Sequence, residues 1–370
     1  MTEFASLKAK VGRFNLTEKK LLVPEMGQTV SHLLGATMRS FGVDAQVMET
    51  YKGLQLGKQY TSGKECFPCQ VTLGDVLYHL EREKEKLGEA FRAENYLYFM
   101  AKLEEPHVWG TLKQRDTVIF YNNDFEIFID PDGDTHNYVE FEMNALNTVW
   151  DLFLTAPYRN NPRVLNQWDM KGVLSAVSIQ GTLNNPSDID RGWQLEVAIP
   201  LTVFNEVTQL NDHLAGEFWR MGFSRVNWDF EISQGQYYRK KGPDGNYLPE
   251  YNWVWSEQKV INMHEPEKWG YVYFSPRAPG EIDSFVIPDQ EYLKWFMYQE
   301  YRKLLIHFKS GEGWSNDQMN ISTRIKGKQI NLKLIPYLKS FSLICESPFS
   351  ELTFEINTSG KFKSYETNTP

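Results

Sequence analysis

The feature that most constrains this chain is a change in its hydrophobic pattern near residue 96. From Tyr96 to Ser275, short segments rich in β-branched and aromatic residues alternate with Asn, Asp, Gly and Pro turns. The clearest segments are YLYFMAKL, DFEIFID, YVEFEMNAL, AVSIQG, WQLEVAIP and WGYVYF. Many short strands at this spacing are typical of two packed sheets. The pattern therefore predicts a mainly β protein built around a jelly-roll-like β-sandwich.

The two flanking regions have different patterns. From Lys20 to about Leu87 the segments LLVP and AQVMET are typical of strands, and TVSHLLGATMRSFG and TLGDVLYHLEREKEKL are typical of helices. After Pro276 a linker leads to an amphipathic helix, EYLKWFMYQEYRKLLIHF, and then to weakly alternating strands. We therefore predict a small α/β lobe over 1–95, the sandwich over 96–275 and a helix-plus-strand extension over 276–370.

Composition limits the classes of partner. Hydrophobic residues make up 41% of the chain and aromatic residues 14%, which indicates a folded protein. The net charge is −9 and the Lys and Arg residues are dispersed, so we expect no nucleic-acid binding. No run of about 18 apolar residues predicts a membrane span, and the N-terminus lacks a secretory pattern. The chain as written is expected in the cytoplasm, and its oligomeric state is left open.

Two cysteines suggest metal chemistry in the first region. Cys66 and Cys69 form a C-x-x-C pair in GKECFPCQVTLGD, just before a predicted helix whose N-terminus would favour thiolates. Two thiolates are half of a four-thiolate zinc or iron–sulfur set, and Cys345 lies in another region. Two ordinary reduced cysteines are the alternative interpretation.

The first region also resembles a known family. The run from VPEMGQTVSHLLGATMRSFG through GKECFPCQVTLGD to NYLYFM resembles the C-terminal part of proteins related to 2-hydroxyacyl-CoA dehydratase activators, over about residues 20–100. The resemblance implies that Cys66 corresponds to a candidate iron–sulfur ligand. The family's second cysteine loop and its Gly-rich ATP-binding loops are missing here. The resemblance therefore implies at most an iron–sulfur-binding remnant, and no cluster is expected in this fragment.

The second region resembles a different family. The segments from YLYFMAKLEEPHVWG to WDLFLTAPYRN, then WQLEVAIPL, WRMGFSRVNWDF and INMHEPEKWGYVYFS, resemble family 9-type carbohydrate-binding domains over about residues 96–275. The resemblance implies non-catalytic sugar binding, and such relatives are expected outside the cytoplasm. The first strands usual in these domains are missing, so the chain resembles a fusion near residues 95–100. We expect either an incomplete sandwich around Tyr96–Leu103 or completion by the strands after Ile321.

Sugar sites combine flat aromatic rings, which cover the C–H face of a pyranose, with planar polar groups that take its hydroxyls. The resemblance implies that Glu126 and Asn144 are such polar groups. It places one stacking aromatic near Phe120 and Tyr121, and the second at Met263, where this chain departs from the family. Trp255, His264 or Trp228 would then supply the opposing surface. The predicted carbohydrate-binding set is Phe120, Tyr121, Glu126, Asn144, Trp255, Asn262, Met263 and His264.

The loop IDPDGDTHNY is a candidate calcium site. Asp130, Asp132 and Asp134 offer hard oxygen ligands at alternate positions, although the glycine precedes the third aspartate, unlike in an EF-hand. The family resemblance also implies structural calcium. A solvated Asp-Gly turn is the alternative.

A glycoside hydrolase is the alternative function from another class. Its paired carboxylates could come from Asp116, Asp124, Glu126, Glu140 and Glu142. No spacing singles out an acid and a nucleophile among them, and the resembled family is non-catalytic. Catalysis is therefore the less favoured interpretation.

Overall fold

A computed structural model describes residues 20–23, 28–61, 67–87, 95–210, 214–278 and 280–367. The chain divides into two compact units, Met1–Tyr96 and Leu97–Pro370. The predicted fold class is confirmed, since antiparallel sheets dominate and two of them form a sandwich. Among the described residues, no helix has the length and hydrophobicity needed to cross a membrane.

The N-terminal unit is a small α/β structure. Strand β1 (Lys20–Val23) pairs in parallel with β2 (Asp44–Val47), and helix α1 (Gln28–Ser40) connects them. Helices α2 (Leu54–Gln59) and α3 (Phe67–Leu87) follow. A Cβ atom at Gly53 would lie 1.7 Å from the carbonyl oxygen of Gly74 in α3. Any larger residue at Gly53 would therefore force this close backbone contact apart.

The second unit contains the sandwich. Its strands are β3 (Tyr96–Glu104), β4 (Asp124–Asp130), β5 (Tyr138–Asn144), β6 (Val149–Leu154), β7 (Val164–Leu165), β8 (Leu174–Gln180), β9 (Gly192–Pro200), β10 (Phe218–Asn227), β11 (Phe230–Ser233), β12 (Gln236–Arg239), β13 (Tyr251–Val254) and β14 (Gly270–Tyr273). The large sheet has the order β13-β10-β4-β5-β6-β7, with β14 also paired to β10. The small sheet has the order β3-β9-β8, and β11 and β12 form a separate hairpin.

Both faces of the large sheet are buried at its centre. The inner face packs on the small sheet, and it carries Phe125, Ile127 and Ile129 of β4, as the alternation in DFEIFID predicts. The outer face is covered by a second apolar cluster, which consists of Ile119, Phe128, Tyr138, Trp150, Leu152, Leu154 and Trp269. Polar side chains on the outer face of β4 and β5 are consequently buried as well.

The C-terminal region forms a helix and a sheet of its own. These elements are α4 (Asp289–Ser310), α5 (Asn316–Met319), β15 (Asn320–Ile325), β16 (Lys328–Pro336), β17 (Phe341–Glu346), β18 (Leu352–Asn357) and β19 (Phe362–Glu366). Helix α4 ends at Gly311, whose φ of +77° is the left-handed conformation that glycine favours. Leu293, Met297 and Leu304 of α4 are buried in one cluster with side chains of the antiparallel β15–β19 sheet.

The expectation that strands after Ile321 complete the sandwich is wrong. They pair only with one another, in the order β15-β16-β17-β18-β19, and α4 covers an apolar face of the sheet that they form. The small sheet accordingly has three strands in the described part of the chain. The C-terminal region contacts the sandwich through buried polar groups, including an ion pair of 3.2 Å between Arg220 Nη2 and Glu291 Oε2. The Tyr271 hydroxyl donates to the same Glu291 oxygen at 2.8 Å.

Candidate functional site

Four carboxylates share the outer face of the large sheet. Asp124 and Glu126 lie on β4, and Glu140 and Glu142 lie on the neighbouring β5. The strand register places Glu126 directly opposite Glu142. We name Asp124, Glu126, Glu140 and Glu142 the acidic floor. Like charges directly across a strand pair repel one another, so this arrangement opposes folding unless protons or a ligand compensate for it.

Burial controls the electrostatics of the acidic floor. Exposed fractions are 0% for Asp124, 2% for Glu140 and Glu142, and 4% for Glu126. Burial raises the pKa of Glu126 to about 7, although the Ser224 hydroxyl donates to its carboxylate and opposes the shift. Burial, and then the neighbouring negative charges, raise the pKa values of the other three well above their usual range. All four carboxyl groups are therefore buried, and Glu126 is the least buried of them by a small margin.

These shifts predict a stability that falls as pH rises. The folded-state pKa of Glu126 is about 7 against a usual 4.5, so the native state retains a proton that the unfolded chain releases between these values. The free energy of unfolding should decrease across this pH window. We expect thermal midpoints to be higher at pH 5 than at pH 8, with a smaller difference in Glu126→Gln, which imitates the protonated form. The exposed Glu257→Gln variant should keep the wild-type pH dependence, and an equal flattening in both variants would contradict the assignment.

One side of the acidic floor is bordered by an aromatic turn. Residues Ile119–Tyr121 form a short 3-10 helix, and the Phe120 amide donates to Glu142 Oε2 at 3.1 Å. Trp228 Nε1 donates to the Phe120 carbonyl at 2.6 Å and so fixes the turn. The ring of Tyr121 is 46% exposed, whereas the Phe120 ring is half-buried. Of the two predicted platforms, Tyr121 is the more exposed.

The other side is bordered by His264 and Tyr158. His264 Nε2 lies 3.8 Å from Glu140 Oε2, and its Nδ1 contacts the Tyr138 hydroxyl at 2.9 Å. Burial lowers the pKa of His264 to about 3, so this imidazole is neutral. The ring of Tyr158 lies edge-on to His264 with 4.4 Å between centroids and is 45% exposed. Burial and then the charges of Glu140 and Glu142 raise the pKa of Tyr158 to about 12.

The sequence reasoning did not single out Tyr158, although this residue lies within the segment WDLFLTAPYRN, in the turn after β6. The structure thus brings together Tyr121, the acidic floor, His264 and Tyr158. The half-buried side chain of Met263 packs beside Trp269, whose Nε1 donates to the Met263 carbonyl at 2.7 Å. Asn262 is exposed, and its side-chain Oδ1 accepts the backbone amide of His264 at 3.0 Å.

Two predicted residues are not placed to contact a sugar beside Glu126. Asn144 is fully buried, and its side chain uses both of its polar atoms internally, donating to the Leu112 carbonyl and accepting the amides of Leu146 and Thr148. Trp255 packs against the ring of Phe223, 5.0 Å away, on the inner face of the large sheet. Strand alternation places Glu126 on the opposite face, so Trp255 is not its facing platform.

The aspartate loop is contacted by backbone amide donors and by a cation, Lys361. Three oxygens, one from each of Asp130, Asp132 and Asp134, lie within 4.8 Å of one another, which fits ligands around a single calcium ion. Asp130 also accepts the amides of Gly133 and Thr135, at 3.2 and 2.9 Å. Lys361 Nζ lies 2.8 Å from Asp134 Oδ2 and neutralises part of the charge. Calcium at this loop stays a prediction.

If this loop binds calcium, a chelator should lower the thermal midpoint, since an ion bound only by the native state stabilises it. The measurement compares melts of the intact chain in EDTA and in excess calcium. Identical melts would contradict the calcium site and leave Lys361 as the cation of this turn.

The cysteine predictions lie largely outside the described residues. Cys66 is not among them, and the side chain of Cys69, in α3, is not described. Cys345 is a buried free thiol, and burial raises its pKa to about 11, which disfavours reactive thiolate. An iron–sulfur site at Cys66 and Cys69 therefore stays untested by the geometry.

Comparisons with known proteins give only structural neighbours. No protein-family model matches the chain, and no curated protein matches it, so the resemblance to dehydratase activators gains no support. One similar solved structure is a candidate carbohydrate-binding protein from Bacteroides uniformis, 18% identical, with 48% of this chain and 72% of that chain covered and a TM-score of 0.34. Another is a family 9 carbohydrate-binding module from Caldicellulosiruptor kristjanssonii in complex with glucose, at 13% identity, 52% and 76% coverage and a TM-score of 0.31. Both TM-scores are below 0.5, so the site is interpreted from its own geometry.

Proposed function

We propose that the outer face of the large sheet binds carbohydrate without catalysis, between Tyr121 on one side and Tyr158 with His264 on the other. The observation that supports this function most directly is the pairing of two half-exposed tyrosine rings with buried carboxylates. Tyrosine rings cover the apolar C–H face of a sugar, and a carboxylate accepts its hydroxyls. Glu126, the most exposed member of the acidic floor, is the proposed acceptor.

A bound sugar would also supply hydrogen bonds to the closely spaced carboxyl groups of the acidic floor. Its hydroxyls are neutral donors, so they can satisfy carboxylate oxygens without bringing a further negative charge into the site. Asp124 Oδ2 and Glu140 Oε2 are buried and have no hydrogen-bond partner among the described residues. Hydrogen bonds to such orphan acceptors are worth more than those to groups already paired.

The hydrolase alternative is less well supported by the same residues. A glycosidase needs two carboxyl groups whose pKa values differ, so that one is an acid and the other is ionised. All four members of the acidic floor have raised pKa values, and no member is held in the ionised form by a cation paired with it among the described residues. Asp116, the remaining candidate, is instead near Arg115 at 3.6 Å.

The test of the proposed function combines binding and turnover on the intact chain. Calorimetric titration with soluble neutral oligosaccharides should give saturable binding, and the same mixtures should release no reducing sugar. Binding accompanied by reducing-sugar release would favour the hydrolase. Iron and sulfide assays of anaerobically purified protein test the iron–sulfur remnant separately.

A further inference from the structure

Arg239 is held in an aromatic box beside the proposed sugar site. Its guanidinium carbon lies 4.6 Å from the ring centroid of Tyr121, 4.5 Å from that of Trp228 and 4.1 Å from that of Tyr247. Arg239 is half-buried at the end of β12, and Tyr247 is 51% exposed. Contacts with three rings restrict the position of this guanidinium, unlike that of a fully solvent-exposed arginine side chain.

The hydrogen-bonding groups of Arg239 remain free. Within the described ranges, no ion pair or hydrogen bond joins its side chain to any residue, and none of its nitrogens is buried without a partner. Guanidinium N–H groups point outward in the plane of the cation, whereas aromatic rings stack on its faces. At most two of the three rings can stack on the faces of the cation, and its N–H groups, which no described residue uses, remain available to a ligand. A planar fork of this kind fits the oxygens of a carboxylate or sulfate.

A second cation lies next to the box. Lys241 Nζ is 5.1 Å from the Tyr247 ring centroid, and in the part of the chain that the structure describes it has no carboxylate partner. Arg239 and Lys241 thus form a positive patch in a chain whose net charge is −9. Among the described residues, neither cation forms an ion pair with a member of the acidic floor.

We propose that Arg239 and Lys241 form an anion-binding subsite that holds the negatively charged group of an acidic sugar. The proposal rests on the proposed carbohydrate binding, because Tyr121 is both a wall of the acidic floor and a wall of the arginine box. The acidic floor offers no cation to a negative group and can exchange hydrogen bonds with hydroxyls, whereas the arginine box attracts a negative group. A ligand that spans both regions therefore carries its carboxylate or sulfate on the Tyr247 side.

The experiment compares three matched ligands on the intact chain by NMR titration: methyl glucoside, methyl glucuronide and methyl glucoside 6-sulfate. Wild type should bind one or both acidic ligands about ten to a hundredfold more tightly than the neutral one, as expected for a charge-assisted pair. Arg239→Gln should lose this preference and leave affinity for methyl glucoside within about twofold. The acidic ligand with the higher affinity shows whether the subsite prefers a carboxylate or a sulfate.

Lys240→Gln is the matched control, since Lys240 is exposed, is the next residue along and contacts none of the three rings. It should keep the preference. Arg239→Lys retains the charge without the fork and should lose most of it, which guards against an unfolded Arg239→Gln variant. Equal binding of neutral and acidic ligands in wild type would overturn only the proposal of an anion-binding subsite. Equal losses in Arg239→Gln and Lys240→Gln would also overturn it, and binding of no ligand would overturn the proposed function as well.

Discussion

Replacing Trp269 with alanine is expected to lower the free energy of unfolding by about 3 to 5 kcal/mol. Trp269 is 1% exposed and packs against Phe128 and Tyr138, at centroid distances of 5.3 and 5.2 Å. Removing the indole leaves a cavity beneath the outer face and deprives the Met263 carbonyl of its donor. Chemical denaturation of the intact chain measures the change.

Trp253→Ala is the control for this prediction. Trp253 is 54% exposed on β13, so its removal should change the free energy of unfolding by no more than about 0.5 kcal/mol. Similar losses in the two variants would contradict the assignment of Trp269 as the central support of the outer face.

Replacing Glu126 with alanine is expected to weaken sugar binding by about 1 to 3 kcal/mol, the usual cost of losing hydrogen bonds to a charged group. The thermal midpoint should change little, because the loss of the hydrogen bond from Ser224 is offset by the removal of a carboxyl group whose burial is itself unfavourable. Calorimetry of wild type and variant with the same neutral oligosaccharide measures the effect. Unchanged affinity, or an equal loss in the exposed Glu257→Ala, would remove Glu126 from the site.

The strand pattern was predictable because burial follows period-2 alternation. In DFEIFID the alternation separates Ile127 from Glu126, and the structure confirms that these residues occupy opposite faces. The sequence did not reveal that the outer face is also covered. That covering depends on Trp269, which is far from β4 in the sequence and reaches it only through tertiary packing, and on Ile119 in the turn just before β4.

Position along the chain was not sufficient to identify which side chains surround Glu126. Asn144 occupies the expected strand end, but it follows the tendency of asparagine to satisfy backbone groups in an adjoining turn. The ring of Trp255 lies on the inner face, because strand alternation places Trp255 and Glu126 on opposite faces of the sheet. Tyr158 and Arg239 could not be found from sequence, since only the fold brings them to His264 and Tyr121.

The sequence predicted a helix and weak strands for the C-terminal region, but it could not predict how these elements pack. Its polar contacts to the sandwich are long-range: Arg302 pairs with Glu265 and lies 3.0 Å from Glu267, and Arg159 binds the same Glu267 at 2.9 Å. These buried glutamates lie directly after the loop that carries Met263 and His264. The extension therefore supports one wall of the proposed site.

A glycan array probed with the intact chain and with Glu126→Ala side by side tests the central claim most directly. The account predicts that wild type binds a defined subset of glycans and that Glu126→Ala loses most of the signal on that same subset. Binding of no glycan by folded wild-type protein, or an unchanged set and intensity in Glu126→Ala, would contradict carbohydrate binding at the acidic floor.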